Sequence, residues 1–511
     1  MSTKFLLNKK ILMIHQRDWA IRHGFEISKK LNKYGVKLAS LNFKLSTEYF
    51  IQNQKDIDFE YILNESFVDK NSKFILKNSN YSVDDLNNDF GIENIWKHAL
   101  TLRQLTLDYK KKFPFSYQQN YSDEDIRDYI LAFAFELKKM FQNFNPEIVI
   151  GYNFGDIKHF LLERLCNKKK IPFFFASDTK VKSISNFYYD INSSKSFFQK
   201  KVKNLNSKKY KSKKINEAQN YLQKNRNKLE IPLHMKNLNI NKKWYNFSDF
   251  KHLLFKLKYH FAKNKSKKVS ASDNTRVWYI LRDYLSERKN IIDSQKYEYD
   301  DLNEIENFVY FPLQHFPESQ LGLLNPLHDH VLNTIRTIAR FLPSKYKLVV
   351  KDHPWSFGKR SRSFLDKIKN TLNVKLIDPR TNNNLLLKKM SYLVSFGGTV
   401  IFESLIMNKP AVNIGNLKMM DHIKGIYQLN ELYKIGDLIK KIDNEFYTQK
   451  MQEDLEESLL NYTSSAIEYG FPNDVYQSDL RFNAENLDIM WNFYFNEIRK
   501  IEKFRDKFIY E

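Results

Sequence analysis

Between residues 308 and 414 the chain alternates short apolar runs, at 308–311, 348–351, 374–377, 392–395 and 411–414, with stretches of helical periodicity at 326–341, 361–371, 384–390 and 399–407. An apolar run without polar alternation is a strand buried on both faces. Strands of that kind joined by helices pair in parallel, each helix crossing back over one face of the sheet. In such open sheets ligands sit at the carboxyl ends of the strands, so the loops after these runs are where chemistry is expected.

The amino-terminal part repeats the pattern more loosely. A strand at 10–14, a helix through Leu31, a stop at Tyr34-Gly35 and a strand at 36–39 open a βαβ unit. Residues 43–143 read mainly as helices; a strand at 146–151, a helix at 156–167 and a strand at 171–176 then resume the alternation. A chain of 511 residues exceeds what one hydrophobic core serves. The expected class is α/β with two Rossmann-like domains, at 1–195 and 301–430, joined by a Lys-rich helical connector at 196–300 and followed by a helical segment at 431–511. The last stretch, 489–508, carries Trp491, Phe493, Tyr494 and Phe495 at helical spacing, which predicts a helix docked on the first domain.

The apolar fraction of 42% fills two cores, and the net charge is +24. That charge raises the prospect of a nucleic-acid or anionic-membrane partner, although the joint abundance of Lys, Asn, Ile, Phe and Tyr is also what an AT-rich coding sequence produces. The Lys-rich segments at 200–214 and 250–268 lack the interleaved aromatics of an RNA-binding module, so no nucleic-acid partner is expected. Peripheral contact with the inner membrane surface fits the charge better. Cys166 is the single cysteine, which rules out an intrachain disulfide and favours a reducing compartment. No window approaches the roughly 18 apolar residues of a membrane helix, and the run at 11–14 is too short for a signal peptide, so a cytoplasmic protein is expected.

Three strand ends carry candidate chemistry. In Ser395-Phe396-Gly397-Gly398-Thr399, continuing to Glu403, an apolar strand runs through a double glycine straight into a helix. Gly397 and Gly398 let the backbone approach a phosphate, Thr399 can cap the helix and donate its hydroxyl, and Glu403, one turn on, can accept from ribose hydroxyls. A tight strand-to-helix turn with no ligand has the same sequence. In Val349-Val350-Lys351-Asp352-His353-Pro354, Lys351 and His353 would face the same crevice, with Lys351 offsetting phosphate charge. In Phe311-Pro312-Leu313-Gln314-His315-Phe316-Pro317-Glu318, prolines hold a loop that presents Glu318. Two further patterns are read as structure: Asp123-Glu124-Asp125 after Ser122 is a helix cap, and His328-Asp329-His330 follows the helix opening Asn325-Pro326 with its histidines turned apart. No metal site is expected.

The motifs at 311–318, 349–354 and 395–412, in that order, resemble the capsule polysaccharide biosynthesis family, which includes the Kdo transferases of capsule assembly. The resemblance implies a GT-B glycosyltransferase, two Rossmann-like domains holding a nucleotide-sugar donor in the cleft, with no cofactor and no obligatory metal. It implies that His353 and the Gly398-Thr399 turn contact the donor phosphate, that Glu403 approaches the ribose, and that Glu318 lines the pocket. Ser177-Asp178-Thr179-Lys180-Val181-Lys182-Ser183 is similar in spacing to the segment holding the Kdo transferases' nucleophilic aspartate, with Lys in place of Arg, Ser177 in place of an acid and Thr179 in place of glycine. By that resemblance Asp178 attacks the anomeric carbon. The implied function is transfer of a sugar, CMP-linked by the same likeness, to a glycan or glycolipid acceptor. The double-glycine turn and the glutamate also resemble UDP-N-acetylglucosamine 2-epimerases, and a basic polymer-binding protein is the non-enzymatic alternative.

Overall fold

The structure, a computed structural model, describes residues 3–16, 19–99, 101–102, 122–152, 154–207, 211–230, 245, 247–260, 277–315, 320–328 and 330–508. Its strands form two sheets. The first contains β1 (Lys10–Gln16), β2 (Lys37–Phe43), β3 (Tyr61–Asn64), β4 (Ile148–Gly151), β5 (Phe173–Asp178) and β6 (Ile184–Tyr188). The second contains β7 (Phe308–Pro312), β8 (Lys347–Lys351), β9 (Val374–Ile377), β10 (Tyr392–Ser395), β11 (Ala411–Asn413) and β12 (Ile426–Gln428). A last strand, β13 (Phe471–Pro472), returns to the first sheet.

The strand orders are β13-β6-β5-β4-β1-β2-β3 and β12-β11-β10-β7-β8-β9. In each sheet the chain starts in the middle, steps outward for its second and third strands, then crosses to the other side of the first strand for the fourth, fifth and sixth. That is the doubly wound Rossmann order, here twice, with switch points between β1 and β4 and between β7 and β10. All pairs in the second sheet are parallel; in the first, β6 alone is reversed, pairing antiparallel with both β5 and β13. Two Rossmann-like domains in one chain is the GT-B arrangement.

The structure departs from the sequence reading at several elements, including β6 and β12, which the reading did not mark as strands. The stretch read as mainly helical contains β3 at the sheet edge, where Ile62 is exposed and Tyr61 half-buried beside the buried Leu63, so the run lacks the continuous burial that marks a central strand. The tail is not wholly helical: β13 pairs with β6, although two residues ending in Pro472 make no sequence signal for a strand. The helix read over 326–341 is broken into a 3-10 turn at Pro326–His328 and a helix at Val331–Phe341.

Helices α1 (Glu65–Ser79), α2 (Asp123–Phe144) and α3 (Ile157–Lys168) cover one face of the first sheet. Asp125 belongs to a capping box with Ser122 at the start of α2, as its spacing predicts. Lys158 of α3 is fully buried and is held by Glu65 and, at 2.9 Å, by Asp156, which locks the starts of α1 and α3 together at the carboxyl edge of the sheet. The connector supplies α4 (Ile215–Asn227), α5 (Phe247–His260) and α6 (Val277–Gln295). In the second domain α7 (Thr399–Ile406) follows β10, and α8 (Gln449–Tyr469) leads back to the first sheet. Helix α9 (Ala484–Phe508) covers the other face of that sheet: Trp491 stacks on Tyr34 and Phe495 meets Phe5, each at 5.4 Å between rings, as the aromatic stripe predicted. Cys166 is buried in the core. Among the described residues no helix is long and apolar enough to cross a membrane.

Candidate functional site

The β10–α7 turn is shaped by two residues with positive φ, Gly397 at 120° and Gly398 at 89°. Ser395 Oγ donates to the Gly397 carbonyl at 2.9 Å and folds the turn on itself. Gly398, not Thr399, is the N-cap residue of α7, and no side chain caps the helix. The Ile401 N–H folds back on the Gly398 carbonyl at 3.3 Å, while those of Thr399 and Val400 have no side-chain cap, the condition that favours an anion at a helix start. A Cβ at Gly398 would meet nothing within 4 Å, so the turn borders open space.

Glu403 lies one turn into α7. Burial raises its carboxyl to about 7, against the opposing pull of a hydrogen bond from Asn383 Nδ2, at 3.2 Å, and the positive field of Lys351. Asn383 in turn accepts from the Tyr310 hydroxyl at 2.9 Å, so β7, the helix after β9 and α7 are tied through one amide. Lys351 ends β8 as a buried residue whose Nζ donates to the Thr381 carbonyl at 3.0 Å. Burial lowers this amine to about 8, while Glu403, Asp378 and Asp352 pull it back upward. A carboxyl and an amine whose titrations converge near neutrality, beside an uncapped helix start, form a cluster of the kind that marks functional sites.

The loop after β8 is held by a buried ion pair. Arg360 Nε donates to Asp352 Oδ2 at 2.7 Å, each residue 3% exposed, and Arg360 Nη2 reaches the Gln314 carbonyl at 3.0 Å. One guanidinium therefore ties the strand ends of β7 and β8. Within this frame the Trp355 N–H donates to His353 Nδ1 at 3.1 Å, so the proton of that ring tautomer is carried on Nε2. His315 lies 5.9 Å from His353 between ring centroids. Glu318 lies outside the described residues, as does Asp329.

A cleft of about 590 Å³, counting space open to solvent, separates α7 from the turn after β5. Asp178, Lys180 and Lys182 line one side, and Thr399, Phe402 and Glu403 line the other. The β5–β6 turn is strained: Lys180, Lys182 and Ser183 all have positive φ, at 69°, 46° and 51°. Such conformations cost on the order of 1–3 kcal/mol each and persist only where the surroundings over-determine them. Here Thr179 Oγ1 donates to Ile184 O at 2.7 Å, Tyr462 of α8 donates to Thr179 O at 2.9 Å, and the Lys182 N–H donates to the Tyr221 hydroxyl at 3.0 Å. The Lys180 N–H fixes Asp178 by donating to its Oδ1 at 2.7 Å.

Of the residues singled out from sequence, Asp178, Thr399 and Glu403 meet around this cleft, with Gly397 and Gly398 directly before Thr399. Lys351 stands behind Glu403, and His353 sits on the neighbouring loop; neither lines the cleft. Sequence reasoning missed Tyr221, Asn225 and Glu230 from the connector and Asn473 and Gln477 from the tail, which close it. Nothing local marks the connector residues. Asn473 follows a proline, and its N–H donates to Ser183 O at 2.7 Å, a contact between segments 290 positions apart that no sequence period reveals. Among the described residues no three His, Cys, Asp or Glu side chains converge as metal ligands.

Residues 233–464 match the family described as capsule polysaccharide biosynthesis protein. No curated protein matches the chain in sequence. Solved structures overlap it loosely along its length. UDP-GlcNAc 2-epimerase from Neisseria meningitidis bound to UDP-GlcNAc is 12% identical, over 90% of this chain and 97% of that one, with a TM-score of 0.27. A putative UDP-N-acetylglucosamine 2-epimerase from Listeria monocytogenes is 12% identical over 94% and 98%, with a TM-score of 0.26. A glycosyltransferase from Rickettsia africae is 11% identical over 93% and 100%, with a TM-score of 0.25. The fold assignment stands on the two strand orders alone. The family match spans the second domain and its flanking helices, somewhat under half of the chain.

Proposed function

We propose that the protein is a glycosyltransferase of capsule or surface polysaccharide assembly that takes a nucleotide-activated sugar in the cleft between α7 and the β5–β6 turn. The observation that carries this reading is that one cleft has Asp178 on one wall and Thr399 and Glu403 on the other. A nucleotide sugar needs an anion site, a ribose acceptor and a group near the anomeric carbon. The uncapped start of α7 with the Thr399 hydroxyl supplies the first, and Glu403 the second. Lys351 acts on the phosphate through its field rather than by contact, and His353 Nε2–H approaches the nucleotide from the β8 loop. Glu318 is assigned to the same pocket on the family resemblance alone.

Asp178 is the proposed nucleophile. Its carboxylate forms a bond to the anomeric carbon as the bond from that carbon to the phosphate oxygen breaks, and the nucleotide leaves with the electron pair. An acceptor hydroxyl, from a glycan or glycolipid held on the first domain, then displaces Asp178 and gives up its proton. The reaction takes place in the cytoplasm, at or near the inner membrane surface.

The test is nucleotide release from CMP-, UDP- and GDP-sugars in the presence of a capsule-fragment acceptor. Asp178→Ala abolishes acceptor-dependent release while nucleotide still raises the melting temperature; release that survives the substitution removes Asp178 from the chemistry. Conversion of UDP-N-acetylglucosamine to its epimer without acceptor would replace the transferase by an epimerase.

A further inference from the structure

Helices α5 and α6 pack against each other, and among the described residues the outer face of the pair has no partner. Asp249 of α5 and Arg288 of α6 hold it together at 2.7 Å, and Leu253 is buried in it. Phe247, Phe250 and Leu254 are 69%, 44% and 49% exposed. Their spacing of three and four residues puts them on one stripe of the helix. Lys251 lies over the Phe247 ring at 4.9 Å, and Lys258, one turn beyond Leu254, is exposed as well. Leu285, one turn before Arg288 on α6, is 64% exposed. Helix α5 carries Lys251, Lys256 and Lys258 against a single acid, Asp249, which Arg288 already neutralises.

We propose that this face docks on the surface of an anionic lipid bilayer. Rings and a leucine on one stripe, with Lys251 lying over Phe247 and Lys258 exposed beyond Leu254, match a surface that is apolar below and negative above: the apolar groups enter the acyl boundary while the ammonium groups reach the headgroups. A nucleic-acid backbone would satisfy the lysines and leave Phe250 and Leu254 in water. At its far end α6 is fixed to the second domain beside the β8 loop, where Ile291 packs so closely that a Cβ on Gly358 would lie 2.3 Å from its side chain. Docking would therefore hold the His353 loop near the membrane, where a lipid-linked acceptor is presented. That consequence rests on the proposed function; the docking does not.

The test is co-sedimentation of the full chain with phosphatidylcholine vesicles, with and without phosphatidylglycerol, at low and high salt. Binding is expected with phosphatidylglycerol and low salt, and Phe250→Ser lowers the partition coefficient by about tenfold or more. Lys251→Glu weakens binding and its salt dependence together. Because a hairpin variant can misfold, a dye readout runs beside it. Cys166 is buried, so Leu254→Cys is the site labelled by an environment-sensitive dye. Its emission shifts to the blue on anionic vesicles, and that of Phe482→Cys, on the segment packed against the first domain, does not. No binding to phosphatidylglycerol vesicles overturns the proposal, as does an equal shift at both dye positions or salt-sensitive capture of single-stranded RNA without vesicle binding.

Discussion

Replacing Glu403 with glutamine should flatten the dependence of stability on pH. In the folded protein burial holds this carboxyl at about 7, against an ordinary value of 4.5. Between those values the folded state keeps a proton that the unfolded chain has lost. Folding is therefore favoured less as pH rises through that window, and the loss is complete above about 7. At about 1.4 kcal/mol per unit the full shift is roughly 3 kcal/mol. The carboxyl opens on the cleft, and water there screens it, so about 1–2 kcal/mol is expected. Glutamine keeps the shape and can still accept from Asn383, but has no charge to bury. Urea unfolding followed from below pH 4.5 to above pH 7 should show native protein losing this amount relative to Glu403→Gln, with the two alike at the acid end. Parallel curves across the whole range would refute the claim that Glu403 is forced to ionise in a desolvated site.

The buried pair at the β8 loop makes a second prediction: Arg360→Met leaves Asp352 charged and unpaired and should cost about 3–5 kcal/mol in urea unfolding, while Arg360→Met combined with Asp352→Asn should recover much of it. Equal costs for the single and double variants would contradict that account. Gly398→Ala forces a side chain into a backbone conformation, φ 89° and ψ −177°, that is essentially reserved for glycine, with no atom obstructing the Cβ, so it should cost about 1–3 kcal/mol of stability from backbone strain alone. Tyr462→Phe removes a buried hydrogen bond to the strained β5–β6 turn and should cost about 1 kcal/mol, with proteolysis near residues 180–183 accelerated relative to native protein.

The second sheet was legible at β7 to β11 because those strands are largely buried, and two of them lead into residue types that a core does not need, Lys351 after Val350 and Gly397 after Phe396; β12, partly solvated along its three residues, was not marked. The first sheet was legible at β1, β2, β4 and β5 for the same reason. Its edges were not, since β3 is partly solvated and β13 has two residues. Within the site, Glu403 and Thr399 could be placed by helical spacing from the double glycine, but the cap was misassigned to Thr399 because φ at Gly398 decides which residue ends the turn. The Asp352–Arg360 pair joins residues eight apart across a loop, and Tyr221 reaches Lys182 from another domain-scale segment; such contacts depend on how the chain returns, which local pattern does not encode. The connector was read as partly solvated, and α4 is, with Tyr221 and Asn225 also lining the cleft.

The central claim is that one nucleotide sits between α7 and the Asp178 turn. It is tested most directly by melting the full chain with CMP, UDP, GDP and CDP, and repeating the series with His353→Ala and Glu403→Ala. A nucleotide at a hundred times its dissociation constant adds about 2.7 kcal/mol. Stabilisation by one of the four, lost in both variants while their melting without nucleotide remains cooperative, is the expected result. No stabilisation by any nucleotide, or stabilisation that survives both substitutions, would contradict the account.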